Sequence, residues 1–275
     1  HRLLPAEITD DVLQMDLPLP SKEGFVRQVL GWREFVHHVH LATDGFRTMP
    51  TGTPPVAKRP GDGGYSRWAG KSWPDKWSRE DPDGGAKPSF LGGNNPLPQA
   101  YWGEESGLNC LDEVVSQVWR EGYGHHITRL MVLSNLATLL EISPRELTDW
   151  FWVAYGDAYD WVVEPNVLGM GTYAVSDLMT TKPYTSGAAY INKMGDFCQS
   201  CLFDPKKNCP ITNLYWSFLD RHQESLKNNP RLRMIMATLR KRNKSLRQYD
   251  QKVFQRLSKT LKDGAEITPE NLPKK

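Results

Sequence analysis

Wherever apolar residues recur in this chain they recur at helical spacing, and no stretch of useful length alternates as a half-buried strand would. Residues 24–43 read GFVRQVLGWREFVHHVHLAT, and 111–122 read LDEVVSQVWREG, closed by Gly122 and Gly124. Residues 125–142, HHITRLMVLSNLATLLEI, are more apolar and expected to be buried on most sides. Ser143-Pro144-Arg145-Glu146 has the form of a capping box with Pro at the first helical position, opening LTDWFWVAYGDAYDW over 147–161. Ser21 is an N-cap candidate for the first long helix. Further helices are expected around Leu214–Leu226 and Arg231–Leu261, so the class is all-α.

Two stretches break the pattern. Residues 49–98 are crowded with Pro and Gly and have no period, which predicts a long surface excursion. Residues 162–200 carry Gly169, Gly171, Pro183 and Gly187 and read as irregular, and the tail 266–275 reads as frayed. With 275 residues the chain can bury a sizeable core. Its formal charge is only +2, but residues 231–262 are strongly basic. Such a run is a solvated helix face or an electrostatic footprint for nucleic acid. There is no run of 18 apolar residues and no secretory signal, so no membrane partner and a cytoplasmic location are expected.

The chain has four cysteines, and three form Cys198-x-x-Cys201-x7-Cys209, with Cys110 at an expected helix start. A CxxC pair sets two thiolates on one metal edge, and four cysteines in all suit one four-thiolate site. A zinc site usually shows two CxxC knuckles, a [4Fe–4S] cluster tolerates irregular spacing, and disulfides do not suit a chain lacking a secretory signal. The spacing points to a metal and leaves its identity open.

Polar residues enter apolar surroundings at several points. His125, His126 and Arg129 open an apolar segment, and Asp157, Asp160 and Glu164 lie beside bulky side chains further on. An internal Arg–Asp pair and a polar wall around a ligand both account for them. Trp32 and Arg33, and the aromatics Trp102, Trp150, Phe151 and Trp152, serve either packing or, in the sharper reading, stepwise electron transfer.

Taken in order, GWREF (31–35), LNCLDEVV (108–115), YGHHITRLMVL (123–133), DAYDWVVEPNVLGMG (157–171), TKPYTSGAAYINKM (181–194) and CxxC (198–201) closely resemble the iron–sulfur bacterial cryptochromes and photolyases, the prokaryotic (6-4) photolyase group. The resemblance implies a helical FAD-binding domain over 1–195 and a cluster-binding, basic helical region over 196–265. It implies a [4Fe–4S] cluster on Cys110, Cys198, Cys201 and Cys209. For the flavin pocket it implies Gln28, Trp32, Arg33, Asp157 and Glu164, an Arg129–Asp160 pair beside the isoalloxazine, and Asn166 facing flavin N5. His126, with His125, would protonate a lesion, and Tyr184 would line its cavity. Trp102 and Trp150 would carry electrons, with Phe151 where a tyrosine can stand, so the third member of the route is unassigned.

The implied activity is light-driven repair of a (6-4) photoproduct in UV-damaged DNA by a monomeric enzyme. A blue-light receptor of the same family and a flavin-free Fe–S nucleic-acid-binding protein are the alternatives. His1-Arg2-Leu3-Leu4-Pro5 resembles the tail of a flavin phosphate loop. The α/β antenna domain that carries a lumazine in this group has no counterpart here, so the chain is expected to be part of a longer parent.

Overall fold

The computed structural model describes residues 4–47 and 86–274. Most of the expected excursion, residues 49–85, and His1 to Leu3 of the phosphate-loop remnant lie outside the described residues. The described residues are helical, and the one β-type contact among them is a parallel bridge between Asn95 and Ile142.

An outer layer opens the chain. Helix α1 (Pro5–Gln14) is followed by α2 (Leu19–Val26), which runs through a π-turn (Arg27–Trp32) straight into α3 (Arg33–Thr43). The start lies two residues before the expected cap Ser21: Pro18 holds the cap position, and Pro20, with φ already suited to a helix, sits in the first turn. Asp44 ends α3 in the left-handed region.

The centre follows. Helix α4 (Asn109–Glu121) carries Cys110 in its first turn and stops at Gly122, whose φ of 61° is the left-handed stop expected there. Helix α5 (His126–Thr128), a π-turn (Arg129–Ser134) and α6 (Asn135–Leu139) form one continuous segment, buried from Leu130 onward. Helix α7 (Pro144–Ala154) starts on Ser143, whose Oγ accepts from the Glu146 N–H at 3.4 Å. The box is half made: the Glu146 carboxylate accepts instead from the Leu97 N–H at 2.8 Å, pinning the end of the excursion.

Two expectations change here. The helix expected over 147–161 ends at Ala154, because Tyr155 is extended and Gly156 turns the chain. Residues 160–171, read as irregular beyond 161, are helical: α8 (Asp160–Val163) passes into a π-turn (Glu164–Gly171). Gly169 and Gly171 serve close packing there. A Cβ on Gly171 would lie 2.7 Å from Ser134 Oγ, and one on Gly169 would collide with Met179.

The last third comprises α9 (Ala188–Met194), α10 (Pro210–Arg221), α11 (Gln223–Leu226), α12 (Arg233–Lys241) and α13 (Lys244–Lys262). The single basic helix expected over 231–261 is broken at Asn243, which caps α13 through the Ser245 N–H at 2.8 Å. One core runs from Tyr101 and Leu111 through Leu133, Leu136 and Trp150 to Leu214, Phe218 and Leu257, so packing is continuous across the expected boundary at 195. The tail does not fray as expected: Ile267 is fully buried, its N–H bonds Ser106 O at 2.8 Å and its backbone lies close against Gly107, while Leu272 packs partly buried on the same core. No helix among the described residues is long and apolar enough to cross a membrane.

Candidate functional site

The segments 126–139 and 160–171, the end of α7 and the π-turn after α2 leave a cleft of about 540 Å³ between them. Leu130, Val163, Val167, Met170 and Phe151 supply apolar walls, and Gln28, Trp32, His126, Arg129, Asp157, Asn166 and Tyr184 supply polar ones. Eight residues singled out from the sequence, Phe151 among them, therefore meet in one place. An apolar cavity of this size with a few convergent polar groups is the usual form of a cofactor or small-molecule site.

Gln28 and Trp32 are four positions apart and share a helix face, so both reach the cleft. Trp32 Nε1 donates to Asn166 Oδ1 at 3.0 Å, and Asn166 Nδ2 donates to Val162 O at 2.8 Å, which fixes the amide orientation. Arg129 is held from three sides. Its Nε donates to Gly124 O at 2.8 Å, its two terminal nitrogens grip Asp157 at 3.0 and 2.9 Å, and its plane lies 4.1 Å from the Tyr155 ring centre. Tyr155 Oη is buried at the cleft wall with no hydrogen-bond partner, and burial raises its pKa. A polar ligand atom would satisfy that hydroxyl.

Several expectations are corrected. The carboxylate on the Arg129 fork is Asp157's rather than Asp160's, since the turn at Gly156 swings Asp157 back while Asp160 opens α8 on the exposed side. Glu164 does not face the cleft. Two positions before Asn166, it points the other way into a buried group where Arg145 binds it at 3.1 Å and His40 Nδ1 lies 3.2 Å off, without hydrogen-bond geometry. Arg145 also holds Asp149 at 2.7 Å, and burial, only partly offset by that arginine, pushes Asp149 up to about 6. Arg33, one step round the helix from Trp32, pairs with Glu34 and stands 5.1 Å from the Trp161 ring centre. His125 caps α5, its Nδ1 accepting from the Ile127 N–H at 3.1 Å, and is not among the cleft residues. His126 is, and burial pushes its pKa below the usual histidine value, with His125 and Arg129 adding repulsion.

Aromatic rings lead away from the cleft. Phe151 and Tyr155 line it and stack on each other at 5.1 Å. Trp150, fully buried, meets them edge-on at 5.3 and 6.0 Å. Trp119 meets Trp150 at 6.3 Å and stacks on Trp102 at 5.8 Å. Neither Trp102 nor Trp150 touches the cleft. Trp119 escaped the sequence reading because on α4 it looks like an ordinary packing residue.

The four cysteines also converge. Cys110, Cys198, Cys201 and Cys209 line one small cavity with Leu108, Ile191, Phe197 and Phe203, and none is in a disulfide. Burial, with mutual repulsion, raises Cys110 well above the normal thiol range and pushes Cys209 up to about 12. Among the described residues no three His, Cys, Asp or Glu side chains are grouped to hold a single metal ion.

No family model matches the chain. It is 34% identical over 235 residues to a (6-4) photolyase of Agrobacterium fabrum (strain C58), which takes in 84% of this chain and 39% of that protein. An uncharacterised protein of Acanthamoeba polyphaga mimivirus is 27% identical over 127 residues, 46% of this chain and all of that protein. The chain thus spans about four tenths of the photolyase it matches. Over most of its length this chain is thus similar in sequence to a (6-4) photolyase, and its described residues are helical.

Proposed function

We propose that this chain forms the flavin-binding helical part of a light-dependent DNA repair enzyme acting on (6-4) photoproducts. The observation that carries the reading is the cleft, where Gln28, Trp32, His126, Arg129, Asp157, Asn166 and Tyr184 meet on apolar walls. The cleft fits a flavin: it is apolar enough for a ring system, and the orphaned Tyr155 hydroxyl awaits a polar atom. Reduced FAD would supply the light-excited electron. The Arg129–Asp157 pair orients charge beside it, and Trp32 holds Asn166 in place. His126 stands at the cleft as the proton carrier for the lesion, with Tyr184 beside it.

The basic segments favour DNA as the partner. Lys227, Arg231, Arg233, Arg240 and Lys241 are exposed, and Asn229 Nδ2 ties this stretch to Thr181 O at 2.9 Å, next to the cleft residue Thr180. Phosphates would be held there without sequence preference while a base enters the cleft. The four thiols suit a [4Fe–4S] cluster, since such a cluster takes one thiolate at each corner of a cavity rather than four at a point. Its binding would draw off protons that burial otherwise holds on the sulfurs.

Blue-light repair of an oligonucleotide carrying one (6-4) photoproduct, with flavin-loaded protein, tests the reading. Repair that His126→Ala reduces by about 100-fold or more supports it. Flavin photoreduction without repair assigns the cleft to signalling instead.

A further inference from the structure

The buried charged group behind the cleft is incomplete. Glu164 accepts from Arg145 through Oε1, but its Oε2 is buried without a hydrogen-bond partner. His40 Nδ1 lies 3.2 Å from that oxygen and is likewise buried without a partner. The turn after α3 makes room for the meeting. Gly45 has φ +57°, its N–H bonds His40 O at 3.0 Å, and a Cβ there would collide with Glu164 Oε2. Other charges surround the pair: Arg145 is shared with Asp149 on α7, Lys87 acts on Asp149 through space, and the Arg47 guanidinium stands beside Gly45. His37, three positions before His40, packs on Trp161 at 5.2 Å. A plain internal ion pair would satisfy both facing atoms. Here a carboxylate oxygen and a ring nitrogen stand at bonding distance unbonded, which costs stability until a shared proton joins them.

The same two elements meet again in the cleft, where Trp32 Nε1 donates to Asn166 Oδ1. Trp32 precedes His40 by eight positions on the continuous helix, and Asn166 follows Glu164 by two. Helix and π-turn (Glu164–Gly171) therefore face each other at two points about 12 Å apart along the helix, one in the cleft and one in the core. We propose that His40 is a positioning residue for the cleft: when its ring carries both protons, Nδ1 donates to Glu164 Oε2, locks the π-turn against α3 and so fixes Trp32 on Asn166. With a single proton on the ring, Nδ1 is free to stand bare, the bond is lost and the brace slackens. The His40 side chain keeps 20% of its surface exposed, so solvent protons reach it. No covalent bond changes beyond the N–H, and one proton passes between water and the ring. The cleft thereby gains a pH response separate from that of His126, whatever ligand fills it, so the brace does not rest on the flavin reading.

Proton–nitrogen NMR across a pH titration of the ligand-free chain, labelled with ¹⁵N at histidine and tryptophan, tests this. The His40 ring nitrogens report its protonation, and the Trp32 indole N–H reports the bond to Asn166. In the wild-type chain the Trp32 resonance should move with the same midpoint as the His40 ring. That movement should be lost in His40→Gln and in His40→Ala. In Glu164→Gln, which keeps the shape and removes the charged acceptor, His40 should still titrate while Trp32 no longer follows. Thermal melting and near-ultraviolet circular dichroism identify the variants that are folded. A Trp32 resonance that ignores His40 in the wild type overturns the proposal. So does one that still moves in a folded His40→Gln chain, which would hand the response to His126 or Asp149. The wild-type comparison needs no variant, so the proposal stands or falls on it even where a substitution prevents folding.

Discussion

At the residue scale the cleft rests on a few fixed side chains. Arg129 is gripped by Asp157 through two parallel bonds, a geometry lysine does not reproduce. Because Asp157 is half exposed, Arg129→Lys should cost at most about 1 kcal/mol of stability in urea unfolding. Flavin affinity measured on the same protein should fall by about ten-fold or more, since the fork and its stacking on Tyr155 are lost together. Asp149 makes a separate case. Its folded pKa, about 6, lies above the ordinary 3.8, so the folded chain takes up its proton first. It therefore adds stability below about pH 4 that is lost as pH rises to about 6. Unfolding free energies of wild type relative to Asp149→Asn should decline across that window and level above it; a flat difference would contradict the burial argument. His126 is shifted the other way, and its proton is lost below the usual 6.5. Repair dependent on it should rise as pH falls, with a midpoint under 6.5 when DNA is not saturating. Much of this was legible in the sequence, because a polar group inside an apolar helix must find a partner. Which partner was not legible. Asp157 and Asp160 lie three apart, and only the turn at Gly156 decides which one faces Arg129; Glu164 and Asn166 likewise part company because two helical steps, about half a turn, separate core from cleft.

At the element scale helical periodicity located most helices, and the capping serine at 143 acts as its spacing indicated. Glycine misled in one direction. Gly169 and Gly171 read as breakers but allow 160–171 to pack against Ser134 and Met179, which no local pattern reveals. The tail misled in the other, since an isoleucine and a leucine five positions apart among polar residues carry little periodic signal and yet both pack on the core. Gly107 has φ +79°, and a Cβ there would strike the backbone carbonyl of Ile267. Gly107→Ala should lower stability by roughly 1–3 kcal/mol and expose the tail to proteolysis. Unchanged melting and intact protease resistance would show that the tail contributes little to the fold.

At the scale of the whole molecule two sites share one core: a cleft at one side and four thiols gathered at another, with α4 carrying both Cys110 and Trp119. Resemblance pointed to both groups of residues, but their relation to each other and to the aromatic path emerged only when distant segments packed, because 88 positions separate Cys110 from Cys198. If the thiols anchor a cluster, Cys201→Ala should yield little soluble protein and no bound iron or sulfide, whereas normal yield and helicity would argue against a structural metal. The central claim concerns the cleft, and the most direct test is titration of FAD into the purified chain, followed by flavin fluorescence. The account predicts saturable quenching at one flavin per chain, weakened by about ten-fold or more in Asn166→Leu with the fold intact. Absence of saturable binding by a folded wild-type chain would contradict it.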